Sequence, residues 1–254
     1  AWIRYFDETL GSATFRYAGK DKSEQEVLSL LHDPKREVRR EAHVSLSDGF
    51  NKLSRSLTFI FNTLLADKAT NDELRGYPSW IHARNLSNET DDITVNALVK
   101  AVTGHYEWAQ RYYKLKSKLL GIEDFKDFDR YAPLKKAETT VPWEQARSMV
   151  LDAYDEFSPK MAEIAARFFD EKWIDAAIQP GKRGGAYSAG TVPSVHPYVF
   201  MNYDGRLRDV QTLAHELGHG VHQFLSRKQG VLQSSTPLTT AETASVFGEM
   251  LVFQ

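Results

Sequence analysis

The sequence predicts a mainly α fold with one small antiparallel β-sheet, set just before a histidine-bearing helix. Three observations predict it. Between residues 23 and 173, long stretches repeat apolar residues at helical spacing. Near residue 181 the pattern changes to short runs bounded by Gly and Pro and rich in aromatic and β-branched residues. From residue 204 the helical spacing returns. The expected organisation is one domain with a helical part over 1–180, a small sheet over 181–203 and two site-bearing helices over 204–254.

The first twenty residues are aromatic-rich and are expected to form a strand or an extended arm. Ser23 and Glu26 have capping-box spacing, so a helix starts there. Asp33 and Pro34 open a second helix, with apolar spacing to about Ala66. "RGYPSW" reads as a turn. A long amphipathic helix is expected over 91–121, ended by Gly121, and a further one over 141–173, with Pro142 near its first turn. The aromatic and Leu stripes of these three long helices read as core. "GKRGGAYSAG" and "PYVFMNY" read as the strands of the sheet. A helix follows from Asp204 through "TLAHELGHGVHQFL", and the last covers "TTAETASVFGEMLVFQ".

Composition removes several classes. The net charge is -2 and no basic stripe stands out, so nucleic acid is not an expected partner. There is no cysteine, which leaves neither disulfides nor thiolate metal sites and suits a reducing cytoplasm. No apolar run is long enough to span a membrane. The chain does not begin with Met and stops inside an apolar helical run without a capping residue. It is therefore expected to be a piece of a longer protein.

Chemistry concentrates in "HELGH". On a helix His215 and His219 share one face, about 6 Å apart along the axis, which suits two ligands of one metal ion. Glu216 stands to the side, where a carboxylate can take a proton from an activated water. A catalytic zinc site needs a third protein ligand. The pattern with a third His six residues beyond the second fails, because that position is Leu225. In the other zincin pattern a Glu comes from a later helix, and Glu242 and Glu249 are the acids that follow. Glu242 stands early in its helix, after a turn-rich stretch that lets the chain double back, and is expected to be the ligand. Ser245 and Glu249 share its face and are expected to hydrogen-bond the ligand side chains. His222 is expected to support the site rather than to bind.

These residues resemble a known family. "DVQTLAHELGHGVH" followed by "AETASVFGE" is similar to the thimet oligopeptidase and oligoendopeptidase F family of zinc peptidases, nearer the oligoendopeptidase F branch. "WIDAAIQPGKRGGAYSAGTVPSVHPYVFMNYDG" is similar to the strand region before that family's zinc helix, and "RGYPS" and "YYKLKSKLLGIEDFKDFDRYAPL" extend the likeness. The resemblance implies a mostly helical, clam-like peptidase whose deep channel admits short peptides. It implies one zinc ion on His215, His219 and Glu242, with Glu216 as catalytic base. The family continues past the third ligand into a helical region with a Gly-rich loop bearing His and Tyr. That C-terminal region is the expected partner of this chain, and without it poor activity is expected.

The expected reaction is zinc-dependent hydrolysis of short peptides. The "GAYSAG" strand is expected to offer an edge to substrate backbone, with Gly184 and Gly185 allowing close approach. Ala186, Tyr187, His196 and Tyr198 are candidate cleft residues, and Arg183 is a candidate partner for a peptide carboxylate. Two rival readings are a non-catalytic zinc-binding helical interaction module and a zinc hydrolase of non-peptide substrates.

Overall fold

The computed structural model describes residues 1–134, 140–179 and 181–253. The chain divides into two compact units, residues 1–136 with 180–183 and residues 137–179 with 184–254.

The first unit opens with α1 (Trp2–Gly11) and a hairpin of β1 (Phe15–Tyr17) and β2 (Lys20–Lys22). The expected strand or arm is thus a helix followed by a hairpin. Trp2, Tyr5 and Phe6 recur at helical spacing, and the Trp2 ring lies 5.3 Å from that of Phe59. Helix α2 (Glu24–Leu30) carries the expected capping box at Ser23. Helix α3 (Arg36–Leu74) runs past Ala66 to the "RGYPSW" turn. Phe15, Val27, Ala42 and Leu46 form a small core beside it. There the Phe15 ring fills the place where a Cβ on Gly49 would sit. Buried Asp129 takes hydrogen bonds from Arg36 and Arg39, which holds its carboxyl below the usual range against the cost of its burial.

After α4 (His82–Ser87), the single helix expected over 91–121 is two, α5 (Asp92–Thr103) and α6 (Tyr106–Leu120). Gly104, the poorest helix former short of proline, stands at the break. Gly121 ends α6 in the left-handed conformation, as read from the sequence. The stripes on these helices are not core: Ile93, Leu98, Trp108, Tyr112 and Leu119 are exposed, as are Phe59 and Phe61 of α3. Helical spacing marks a shared face, not what covers it.

In the second unit, the helix expected over 141–173 divides into α7 (Trp143–Phe157) and α8 (Pro159–Asp170). Ser158 ends one helix and caps the other by accepting from the Met161 N–H, and Pro159 takes the first helical turn, where its missing N–H costs nothing. Three short strands follow, β3 (Ile174–Asp175), β4 (Tyr187–Ala189) and β5 (Tyr198–Phe200), in the order β3–β5–β4. β4 and β5 pair antiparallel as expected, but β3 joins β5 in parallel, so the sheet is mixed. Helix α9 (Leu207–Ser226) starts where the Asp209 carboxylate accepts from the backbone N–H groups of Asp204 and Arg206. Helix α10 (Leu238–Phe253) closes the unit. Pro180, in the stretch resembling the family's strand region, and Gln254, at the end of the last expected helix, lie outside the described residues. The core joins Val150, Tyr154 and Phe168 from α7 and α8 with Val199 and Met201 of the strand region and Leu213 and Leu217 of α9.

Among the described residues, no helix is long and apolar enough to cross a membrane.

Candidate metal centre

The site is built where α9 packs on α10. Gly218, inside "HELGH", lies so close to α10 that an added Cβ would sit 2.8 Å from both Ala244 O and Ser245 Cα. From the other side, a Cβ on Gly248 would sit 2.3 Å from the Tyr154 hydroxyl and 3.0 Å from Ala214 O. The two glycines let the helix backbones approach almost to touching. Tyr154, wholly buried on α7, donates a 2.6 Å hydrogen bond to the Ala214 carbonyl, one residue before His215. Its burial pushes the phenol well above its ordinary pKa, so it remains a donor.

Gly218→Ala is expected to lower stability by about 1–3 kcal/mol, because the atoms in the way are backbone rather than a movable side chain. Urea unfolding of the metal-free protein measures this; an unchanged midpoint would show that the helices separate freely.

This close approach carries Glu242 to the histidines. Glu242 Oε2 lies 3.4 Å from His215 Nε2 and 3.6 Å from His219 Nε2. The two imidazoles stand nearly perpendicular, with centroids 4.9 Å apart. One ligand atom from each of the three residues falls within 4.8 Å of the other two. The separations from Glu242 exceed good hydrogen bonds. They approach the roughly 3.3 Å between neighbouring ligands about 2.0–2.1 Å from one tetrahedral zinc.

The surroundings orient these groups. Ser245 Oγ, fully buried, lies 2.9 Å from Glu242 Oε2. Glu249 Oε2 lies 3.3 Å from His215 Nδ1, which turns His215 Nε2 toward Glu242. Burial lowers the pKa of His219, and nearby His215 and His222 oppose its charge further, although Glu242 favours it. The neutral imidazole so favoured is the form that binds metal. His222 is partly buried and is not one of the three converging groups.

Glu216 is buried, and its Oε2 has no hydrogen-bond partner among the described residues. Desolvation, with Glu242 adding and His215 opposing, pushes its carboxyl up to about 7. A buried oxygen left unpaired is costly, and Glu216 is among the residues lining the cleft, with His215, His219 and Glu242. The converging donors, a His held neutral and the unpaired carboxylate of Glu216 fit a bound cation.

The cleft, about 490 Å³, runs between α9 and β4. β4 is an edge strand, tied to α9 through Gln223: Ser188 Oγ donates to Gln223 Oε1 at 2.8 Å, and Gln223 Nε2 donates to the Ser188 carbonyl at 3.2 Å. Ala186 and Tyr187 line the cleft, whereas Gly185, His196 and Tyr198 are not among its lining residues. The His196 ring stacks on Trp173 at 4.1 Å and packs against Tyr198 at 4.3 Å. Gly185 has φ +85° and accepts a hydrogen bond from Asn202. Arg183 groups with the first unit, 3.8 Å from Asp7. Gly184 begins the segment leading into β4. The motif spacing does not mark Gly218, Gly248, Tyr154 or Gln223 as parts of the site. Glycines on the inner face of two helices, where each costs about 1 kcal/mol, are the available signal for the first two.

Comparison with known proteins agrees with this architecture. Oligoendopeptidase F (chromosomal) of Lactococcus lactis subsp. cremoris is 29% identical over 225 residues, covering 88% of this chain and 37% of that protein. Oligopeptidase PepF of Bacillus subtilis (strain 168) is 27% identical over 227 residues, covering 89% and 34%. The chain thus spans little more than a third of the length of the curated relatives it matches. Among solved structures, PZ peptidase A with an inhibitor superposes with a TM-score of 0.90 at 18% identity, over 99% of this chain and 46% of that one. Oligoendopeptidase F from Enterococcus faecium gives a TM-score of 0.58 at 19% identity, over 99% and 39%. These structures share the fold, mainly helical with small sheets. The sequence model for Peptidase family M3 matches residues 29–254, motif helix and Glu242 helix included, and the chain belongs to that family.

Proposed function

We propose that this chain supplies the metal and general-base part of a zinc-dependent endopeptidase acting on short peptides. The observation that carries the reading is the convergence of Glu242 with the Nε2 atoms of His215 and His219 beside a buried carboxylate with an unpaired oxygen. Family membership and the peptidase names of its relatives support the reaction class.

His215, His219 and Glu242 hold the ion. Zinc, when bound, supplies Lewis acidity to water and to the scissile carbonyl. Glu216 takes a proton from the attacking water and returns it to the leaving amine. A carboxyl pushed up by burial makes an effective base, and a cation nearby brings it back toward the ionised form. β4 turns the N–H of Ser188 to the edge away from β5, where Gln223 engages that residue's carbonyl. Cleavage of a panel of internally quenched peptides, with zinc and then with a chelator, tests the reading. Chelation should abolish turnover and zinc should restore it; turnover indifferent to both would contradict it.

Glu249 acts through His215. Glu249→Gln is expected to lower zinc affinity about 10- to 100-fold while the folded state persists. Competition with a chromophoric chelator reads this directly, and wild-type affinity would remove Glu249 from the site.

A further inference from the structure

The cleft has a second charged end. His215, His219, Gln223 and Arg227 follow one another at intervals of four along α9 and the 3₁₀ turn after it (Arg227–Gln229), and all four line the cleft. Arg227 is the only Lys or Arg among the described residues lining it. The lining acids, Glu216 and Glu242, stand at the metal end. Around Arg227 the lining is uncharged and hydroxyl-bearing, with Ser226, Ser234 and Ser235.

The Arg227 head is held in place. Its Nε donates to the Phe224 carbonyl at 3.2 Å, its Nη1 donates to the Val195 carbonyl at 3.1 Å, and its Cζ lies 4.0 Å from the Phe224 ring centre. A guanidinium has five N–H donors, so both hydrogens on Nη2 and one on Nη1 remain. Arg227 forms no ion pair within 4.0 Å among the described residues. A half-buried cation, fixed by two backbone carbonyls and a ring but with no counter-charge, is preorganised for an anion from outside the chain. Its planar fork fits a carboxylate in two-pronged fashion.

We propose that Arg227 binds a carboxylate of the peptide and so sets which peptides are favoured. This rests on the peptidase reading above. Eight residues of helix place Arg227 roughly 12 Å along the axis from His219. An extended peptide advances about 3.3 Å per residue, so the carboxylate lies about three to four residues from the bond at the metal. Either a free C-terminal carboxylate or an Asp or Glu side chain supplies this chemistry.

The test uses fluorescent peptides and the zinc-loaded Glu216→Gln protein, which binds without turnover. One set of pairs differs only in a free or amidated C-terminus, the other only in Glu or Gln, each placed two to five residues from the centre. In at least one pair the acid should bind about 10- to 100-fold more tightly than its neutral partner. Preference in the first set identifies a C-terminal carboxylate, and preference in the second an acidic side chain. Arg227→Met should bring the ratio to about 1, Arg227→Lys should keep part of it, and added salt should shrink it. No preference in any pair, or one that survives Arg227→Met, overturns the proposal. If the wild-type protein neither binds nor cleaves the neutral peptides, the peptidase reading itself fails and the Arg227 role falls with it.

Discussion

Replacing Glu216 by Gln is expected to leave zinc bound and to lower peptide hydrolysis by about 10²- to 10⁴-fold or more. The amide has nearly the shape of the carboxylate but cannot take up a proton. The three proposed ligands are other residues, His215, His219 and Glu242, and none reaches Glu216 through a hydrogen bond, so the metal should stay. The variant should also be more stable without metal, because a neutral amide replaces a carboxyl that burial disfavours in its charged form. Metal content and turnover measured on one preparation decide the matter. Turnover near that of the wild type would remove Glu216 from the chemistry, and loss of metal would make it a structural residue instead.

Glu242→Gln is expected to have the opposite signature. Glu242 is half-exposed, with 51% of its side chain accessible, so the folded state should be kept. The metal should be lost, because the variant replaces a charged carboxylate by a neutral amide, a far weaker metal ligand, even though an amide oxygen can still accept from Ser245. Loss of a supporting hydrogen bond alone costs about 10- to 100-fold in metal affinity, and a ligand should cost more. Hydrolysis then disappears at zinc concentrations that saturate the wild type and returns in part as zinc is raised. Circular dichroism together with zinc titration tests this. Unchanged affinity would transfer the third position to Glu249, whose Oε2 lies 3.3 Å from His215 Nδ1.

The sequence carries much of this site because its logic is periodic. His215 and His219 share a face by spacing, and Glu242, Ser245 and Glu249 share another, so a chain reversal at "QGVLQSSTP" is enough to suggest that the faces meet. What spacing does not convey is how closely they meet. That depends on Gly218 and Gly248, whose missing side chains write no pattern, and on Tyr154, 60 residues earlier in the chain. The helix breaks show a similar limit. Apolar spacing runs on past Gly104 and Ser158, while the backbone turns there for local reasons that a long-window pattern averages away. β3, two residues long, is too short for alternation to be read, and its parallel pairing depends on a partner more than twenty residues further along the chain. His196 can be read from the sequence as a cleft residue or as a core or loop one, and its ring stacks on Trp173.

His215, His219 and Glu242 are proposed to hold one ion, with a position left open toward Glu216. Anomalous diffraction at the zinc edge, from crystals of the zinc-loaded protein, tests it most directly. A single peak is expected within bonding distance of His215 Nε2, His219 Nε2 and a Glu242 carboxylate oxygen, with a fourth position facing Glu216 and filled by no protein atom. A peak closed by a fourth protein ligand such as His222, or one that omits Glu242, would contradict it.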